Sequence, residues 1–105
     1  MYKSDVREMT SGEEELREIR ERIDEIDDAI ADLLSKRMRY AQQAKDVKVR
    51  MNRPLADMER ENEVIDKWCM RAGKRRSADC CLNAEMMRQI AELVIRYTLK
   101  EEQEE

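Results

Sequence analysis

From Glu13 to about Arg50 no residue interrupts a helix, and the apolar positions Leu16, Ile19, Ile23, Ile26, Ile30 and Leu33 alternate steps of three and four. That spacing draws one apolar stripe down a helix, in the manner of a coiled coil. The acidic run Glu13, Glu14 and Glu15 suits a helix start, where the dipole favours negative charge. At ~1.5 Å per residue the helix is on the order of 55 Å long. The rest of the chain is too short to cover it, and a second subunit is the simplest cover.

The segment Met51-Asn52-Arg53-Pro54-Leu55 is the first break, because Pro54 disfavours helix at the residue before it. Asp57 reads as the N-cap of a second helix running to about Ala72, with Met58, Ile65, Trp68 and Ala72 on its inner line. Gly73 reads as its C-cap, and Lys74 to Asp79 as a short basic loop. A third helix is expected from Leu82 or Asn83 toward Lys100, with Met86, Met87, Ile90, Leu93, Val94 and Tyr97 inward. The acidic tail beyond Lys100 should fray. The expected class is all-α, three helices per chain with one very long, in a bundle built from two chains.

Composition narrows the picture. A chain of 105 residues is one domain, with a modest core that oligomerisation would help. Aromatic residues are only 4%, with Gly at 2 and Pro at 1, so the chain lacks the runs and turns that strands need. A formal net charge of −4 argues against generic nucleic-acid binding. Lys74-Arg75-Arg76 then reads as a solvated loop. No apolar stretch is long enough for a membrane, and no signal peptide is visible. Residues Met1 to Gly12 are polar and aperiodic, which predicts a disordered leader before a helical domain over 13–105. Cys69, Cys80 and Cys81 are odd in number. They fit free thiols in a reducing, cytoplasmic setting better than a disulfide framework. With no histidine, no metal site is expected.

Polar residues interrupt the apolar stripes. Past Leu33 the first stripe continues through Arg37, Tyr40 or Ala41, Ala44, Val47 and Met51. Arg37 thus holds a core position, where arginine is rarely found without a partner. Lys48 lies about three turns on, near the same face, and no acidic residue lies between to neutralise both. Ala41 and Ala44 leave room there for an anion. Glu61 sits in the stripe of the second helix, beside Arg60. Each has a plain structural reading taken singly: a cross-bundle ion pair for Arg37 and Glu61, a snorkelling stem for Lys48. Together they converge on the junction of helices one and two, and local rules tend to break at functional sites.

These residues resemble a known family. Leu16-Arg17-Glu18-Ile19-Arg20-Glu21-Arg22-Ile23-Asp24-Glu25-Ile26-Asp27 is similar to the opening of the helical chorismate mutases. Leu33-Leu34-Ser35-Lys36-Arg37 resembles their Leu-Leu-x-x-Arg, and Lys48 follows at the family's spacing. Asn52-Arg53-Pro54-Leu55-Ala56-Asp57-Met58-Glu59-Arg60-Glu61 resembles their loop and second helix. The resemblance covers about Leu16 to Glu102.

It implies an entwined six-helix homodimer that turns chorismate into prephenate, toward phenylalanine and tyrosine, without a cofactor. It implies that Arg20 crosses to the neighbouring chain's site. Arg37 and that Arg20 would hold the two substrate carboxylates, with Arg60 assisting. Lys48 would donate to the ether oxygen whose bond breaks. Glu61 and the backbone at Asp57 would hold the ring hydroxyl, and Thr98 would lie near a carboxylate. The family usually places Gln or Glu late in helix three as a second donor. Glu102 falls there, with Gln103 beside it. An ionised Glu cannot donate, so this reading expects activity to fall as Glu102 loses its proton, and Glu102→Gln to flatten the profile. Two rivals stand beside the mutase: an isochorismate-pyruvate lyase on the same scaffold, and a non-enzymatic helical dimerisation module. The second accounts for the heptads but not for Arg37 and Glu61 within them.

Overall fold

The computed structural model describes residues 10–75 and 82–103. Among these residues there are three helices and no strand: α1 (Ser11–Arg50), α2 (Met58–Arg75) and α3 (Ala84–Gln103). The long first helix, the break and the two shorter helices follow the apolar spacing. Residues 1–9 of the expected leader, residues 76–79 of the expected loop, and Cys80 and Cys81 lie outside the described residues. No helix of the described residues is long and apolar enough to cross a membrane.

The helix ends have identifiable causes. Thr10 caps α1, its Oγ1 accepting from Glu13 N at 3.0 Å, so the helix begins at Ser11, ahead of the acidic run. At the other end Arg53 N donates to Lys48 O at 2.8 Å and Asn52 N to Val49 O at 3.1 Å. Asn52 carries a φ of 57°. This is the Schellman arrangement, with asparagine taking the left-handed residue that glycine usually supplies. Asp57 caps α2 as expected, its Oδ1 accepting from Arg60 N at 3.1 Å. Asn83 caps α3, its Oδ1 accepting from Met86 N at 2.8 Å.

Gly73 is not a C-cap. α2 runs through it to Arg75, and no described glycine has positive φ. The basic run Lys74-Arg75 therefore starts as helix, not loop. Nor does the chain fray at Lys100, because α3 continues through Gln103.

The chain divides into two compact units, Met1–Arg37 and Met38–Glu105. In the first, Leu16, Ile19, Ile23, Ile26, Ile30, Leu33 and Leu34 are all exposed. In the second, α2 packs along α3 around Val64, Ala72 and Ala91, the buried apolar residues. Ala72 and Ala91, 1% and 0% exposed, are small enough for the two backbones to approach closely. Cys69 Sγ faces Ala84 O across this seam at 3.5 Å.

The expected inner lines need correction here. Met58 is 73% exposed, and Val64 takes the central place in α2. Met86, Leu93 and Tyr97 are also exposed, and α3 turns Met87, Ile90, Ala91, Val94, Ile95, Thr98 and Glu102 inward. In α1 beyond Arg37, Tyr40, Ala44, Val47 and Met51 are exposed. The covered residues are Met38, Ala41, Gln42, Lys45 and Lys48. Apolar periodicity misses this face because three of these five residues, Gln42, Lys45 and Lys48, are polar.

Candidate active site

In the first unit, Arg20 and Arg37 both stand on α1. Arg20 is exposed and lines a shallow depression with Leu16, Arg17 and Asp24. Arg17 pairs with Glu21 at 3.6 Å, whereas Arg20 makes no ion pair among the described residues. Arg37 is half-buried, in keeping with its place at the end of the stripe.

In the second unit, the charged side chains that are not exposed, among the described residues, are Lys45, Lys48, Glu61 and Glu102. Lys48 is placed by the last turn of α1. Its Nζ donates to Leu55 O at 2.8 Å, a neutral carbonyl in the segment leading into α2. One N–H of three is thereby used, so the ammonium keeps donors for a ligand. Glu61 is half-buried in the first turn of α2, and its backbone N donates to Asp57 O at 2.9 Å. Asp57 itself is exposed, its side chain engaged at the helix cap.

Arg60 is exposed. Its guanidinium donates to Glu63 on the solvent side. That hydrogen bond, with the nearby charges of Lys67 and Arg60, holds the Glu63 carboxyl below the usual range. Thr98 is half-buried on α3: its Oγ1 donates to Val94 O at 2.8 Å and lies 3.6 Å from Met38 Sδ. One turn on, Glu102 is 4% exposed, and its Oε1 has no hydrogen-bond partner among the described residues. Gln103 beside it is exposed.

Lys45 is the residue that sequence reasoning missed. It is 7% exposed, in the middle of α1's covered face. A signal was there: it lies seven residues after Met38 and three before Lys48, hence on the same side of the helix. An apolar count cannot register a lysine. An ammonium with free donors, as at Lys48, can hold an anionic or ether oxygen by hydrogen bonding and charge. Among the described residues, no three His, Cys, Asp or Glu side chains are grouped to hold a metal ion.

The sequence pattern of the family described as chorismate mutase type II matches residues 19–103. A bifunctional chorismate mutase/prephenate dehydratase from Aquifex aeolicus (strain VF5) is 41% identical over 54 residues. That match takes in 51% of this chain but only 15% of the relative. No solved structure gives a significant match.

Proposed function

The chain belongs to the chorismate mutase type II family of isomerases, and from that premise we propose that it converts chorismate to prephenate as a homodimer, in the cytoplasmic synthesis of phenylalanine and tyrosine. The reaction is a unimolecular pericyclic shift, so it asks for no nucleophile, metal or redox cofactor. Its barrier falls when a rigid pocket selects the compact conformer of the substrate and when fixed donors meet charge developing on the ether oxygen.

The observation that carries this reading is Lys48. A half-buried ammonium is held by a neutral carbonyl and not by an acid, so its charge remains available to an oxygen of the substrate. By resemblance, Arg37 and Arg20 of the second copy hold the two carboxylates, and Arg60 assists by leaving Glu63. Glu61 and the Asp57 backbone hold the ring hydroxyl, and Thr98 borders a carboxylate. Glu102 is the second polar group at the ether oxygen. Acting alone, it could donate only as the protonated acid.

The homodimer reading rests on uncovered apolar surface. The α1 stripe from Leu16 to Leu33 and the α3 line Met86, Leu93 and Tyr97 are exposed in the single chain. A second copy of α1 would cover the Leu16 to Leu33 stripe and bring Arg20 with it.

A chorismate-consumption assay on wild type and Arg37→Ala, beside a mass measurement in solution, tests the proposal. Wild type should yield prephenate at dimer mass, and Arg37→Ala should lose roughly 10²–10³-fold in rate. Free pyruvate from isochorismate would point to a lyase instead. No turnover, with stability gained in Arg37→Leu, would leave only a dimerisation module.

A further inference from the structure

We infer that Asn52 is a positioning residue for Lys48: its left-handed backbone turns the chain back, so that the Leu55 carbonyl holds the ammonium in place. The catalytic consequence rests on the mutase reading above, whereas the hydrogen bond is a property of the chain itself.

Lys48 is held at both of its ends. Its backbone carbonyl accepts from Arg53 N at 2.8 Å, and its Nζ donates to Leu55 O at 2.8 Å. Both partners lie beyond Arg50, where α1 stops. Between Lys48 and those partners stands Asn52, with a φ of 57° and its own N donating to Val49 O at 3.1 Å. One short segment therefore closes the helix and fixes a side chain.

The turn is what makes the second bond possible. Were α1 to continue, Leu55 would sit two turns on, about 10 Å further along the axis. A helical side chain leans the other way, toward the N-terminus, and the lysine would fall short of that carbonyl. A left-handed residue after the last turn diverts the chain instead. Asparagine and glycine take that conformation readily, and a β-branched residue is strained in it. Pro54 keeps the segment from returning to helix, since it disfavours helix at Arg53.

The consequence falls on the donor. Lysine carries a compact charge on a flexible four-carbon stem, and an unheld ammonium samples many positions. Leu55 O is neutral, so it orients the ammonium without cancelling its charge. A carboxylate in its place would orient and neutralise together. A misplacement of about 1 Å at a reacting centre can cost 10²-fold in rate. Asn52 thus acts through Leu55 and Lys48, not on the substrate.

The test uses the full chain as wild type, Asn52→Gly, Asn52→Val, Lys48→Met and the Asn52→Val/Lys48→Met double variant. Chorismate turnover is measured on each, with helix content by circular dichroism. Asn52→Val should lose roughly 10–100-fold in kcat, with little change in KM. Asn52→Gly, which keeps the left-handed turn, should stay within about threefold of wild type. Once Lys48 is already methionine, Asn52→Val should cost less than about twofold more, because its effect runs through the missing ammonium. The Lys48 ammonium is also followed by 15N–1H NMR, with Lys48→Met to assign it. Hydrogen bonding slows exchange of its protons with water, so the signal should be present in wild type and Asn52→Gly and lost in Asn52→Val.

An Asn52→Val enzyme within about threefold of wild type would overturn the inference. Losses that multiply in the double variant would also overturn it, since Asn52 would then act independently of Lys48. So would an Asn52→Gly enzyme as slow as Asn52→Val, because the side chain and not the turn would matter. If Asn52→Val does not fold, Asn52→Ala takes its place, with a loss of roughly tenfold expected and the same thresholds. If wild type does not turn over chorismate, the mutase reading fails on its own. The ammonium signal still decides the positioning, and its persistence in Asn52→Val would refute it.

Discussion

The two units of this chain treat apolar surface in opposite ways. In Met1–Arg37, every large apolar side chain of the heptad stripe stays in solvent, with Ile26 57% exposed. In Met38–Glu105, α2 and α3 meet over Val64, Ala72 and Ala91, and the charged residues Lys45 and Glu102 are also buried. The first unit is regular and uncovered, and the second is covered but irregular. Each uncovered stripe residue forgoes roughly 1.5–3 kcal/mol that burial would contribute, so the first unit points to a partner. The second sets inward-facing charge against a small apolar core, which costs stability unless the charges are used or paired. On the function proposed above, the regular stripe serves association and its interruption serves chemistry.

The largest test of this contrast crosses the two units. Arg20→Ala and Lys48→Met proteins should each be nearly inactive. Mixed in equal amounts and allowed to exchange subunits, they should recover about a quarter of wild-type activity, because half of the dimers are mixed and each carries one intact site. If the mixture shows no recovery, Arg20 does not serve a second copy. Next in size is Ile26→Glu. It should weaken self-association by roughly 100-fold or more, since it places an unpaired carboxylate in an apolar interface. Sedimentation would show the mass falling toward the monomer. An unchanged mass would mean that the stripe is not the interface.

The covered unit is probed by Ala91→Leu. Overpacking a fully buried alanine should cost about 1–3 kcal/mol in chemical denaturation. A neutral result would show a seam looser than the burial of Ala91 suggests. The smallest effect is expected at Glu63, which is fully exposed. Its carboxyl is lowered first by the Arg60 hydrogen bond. A lowered folded-state value means a contribution present above the ordinary carboxylate range and lost as pH falls through the folded value. Titration by NMR should therefore find Glu63 below an ordinary glutamate and returning toward it in Arg60→Ala. An unmoved midpoint in that variant would mean that Arg60 is not the cause.

The three helices, the break at Pro54 and the Asp57 cap were legible in the residues, because spacing, proline geometry and capping chemistry act within a few positions of one another. So were the out-of-place residues Arg37, Lys48 and Glu61, since a polar side chain in an apolar stripe announces itself locally. Tertiary packing alone decided which face of each helix is covered. It turned Val64 inward and left Met58 outside, carried α2 past Gly73, and sealed Glu102 in a last turn that composition reads as a fraying tail. It also buried Lys45, which no apolar count could flag. The reason is physical: helical periodicity is a property of one segment, whereas burial depends on which other segment arrives, and a polar residue is hidden or exposed only by that meeting.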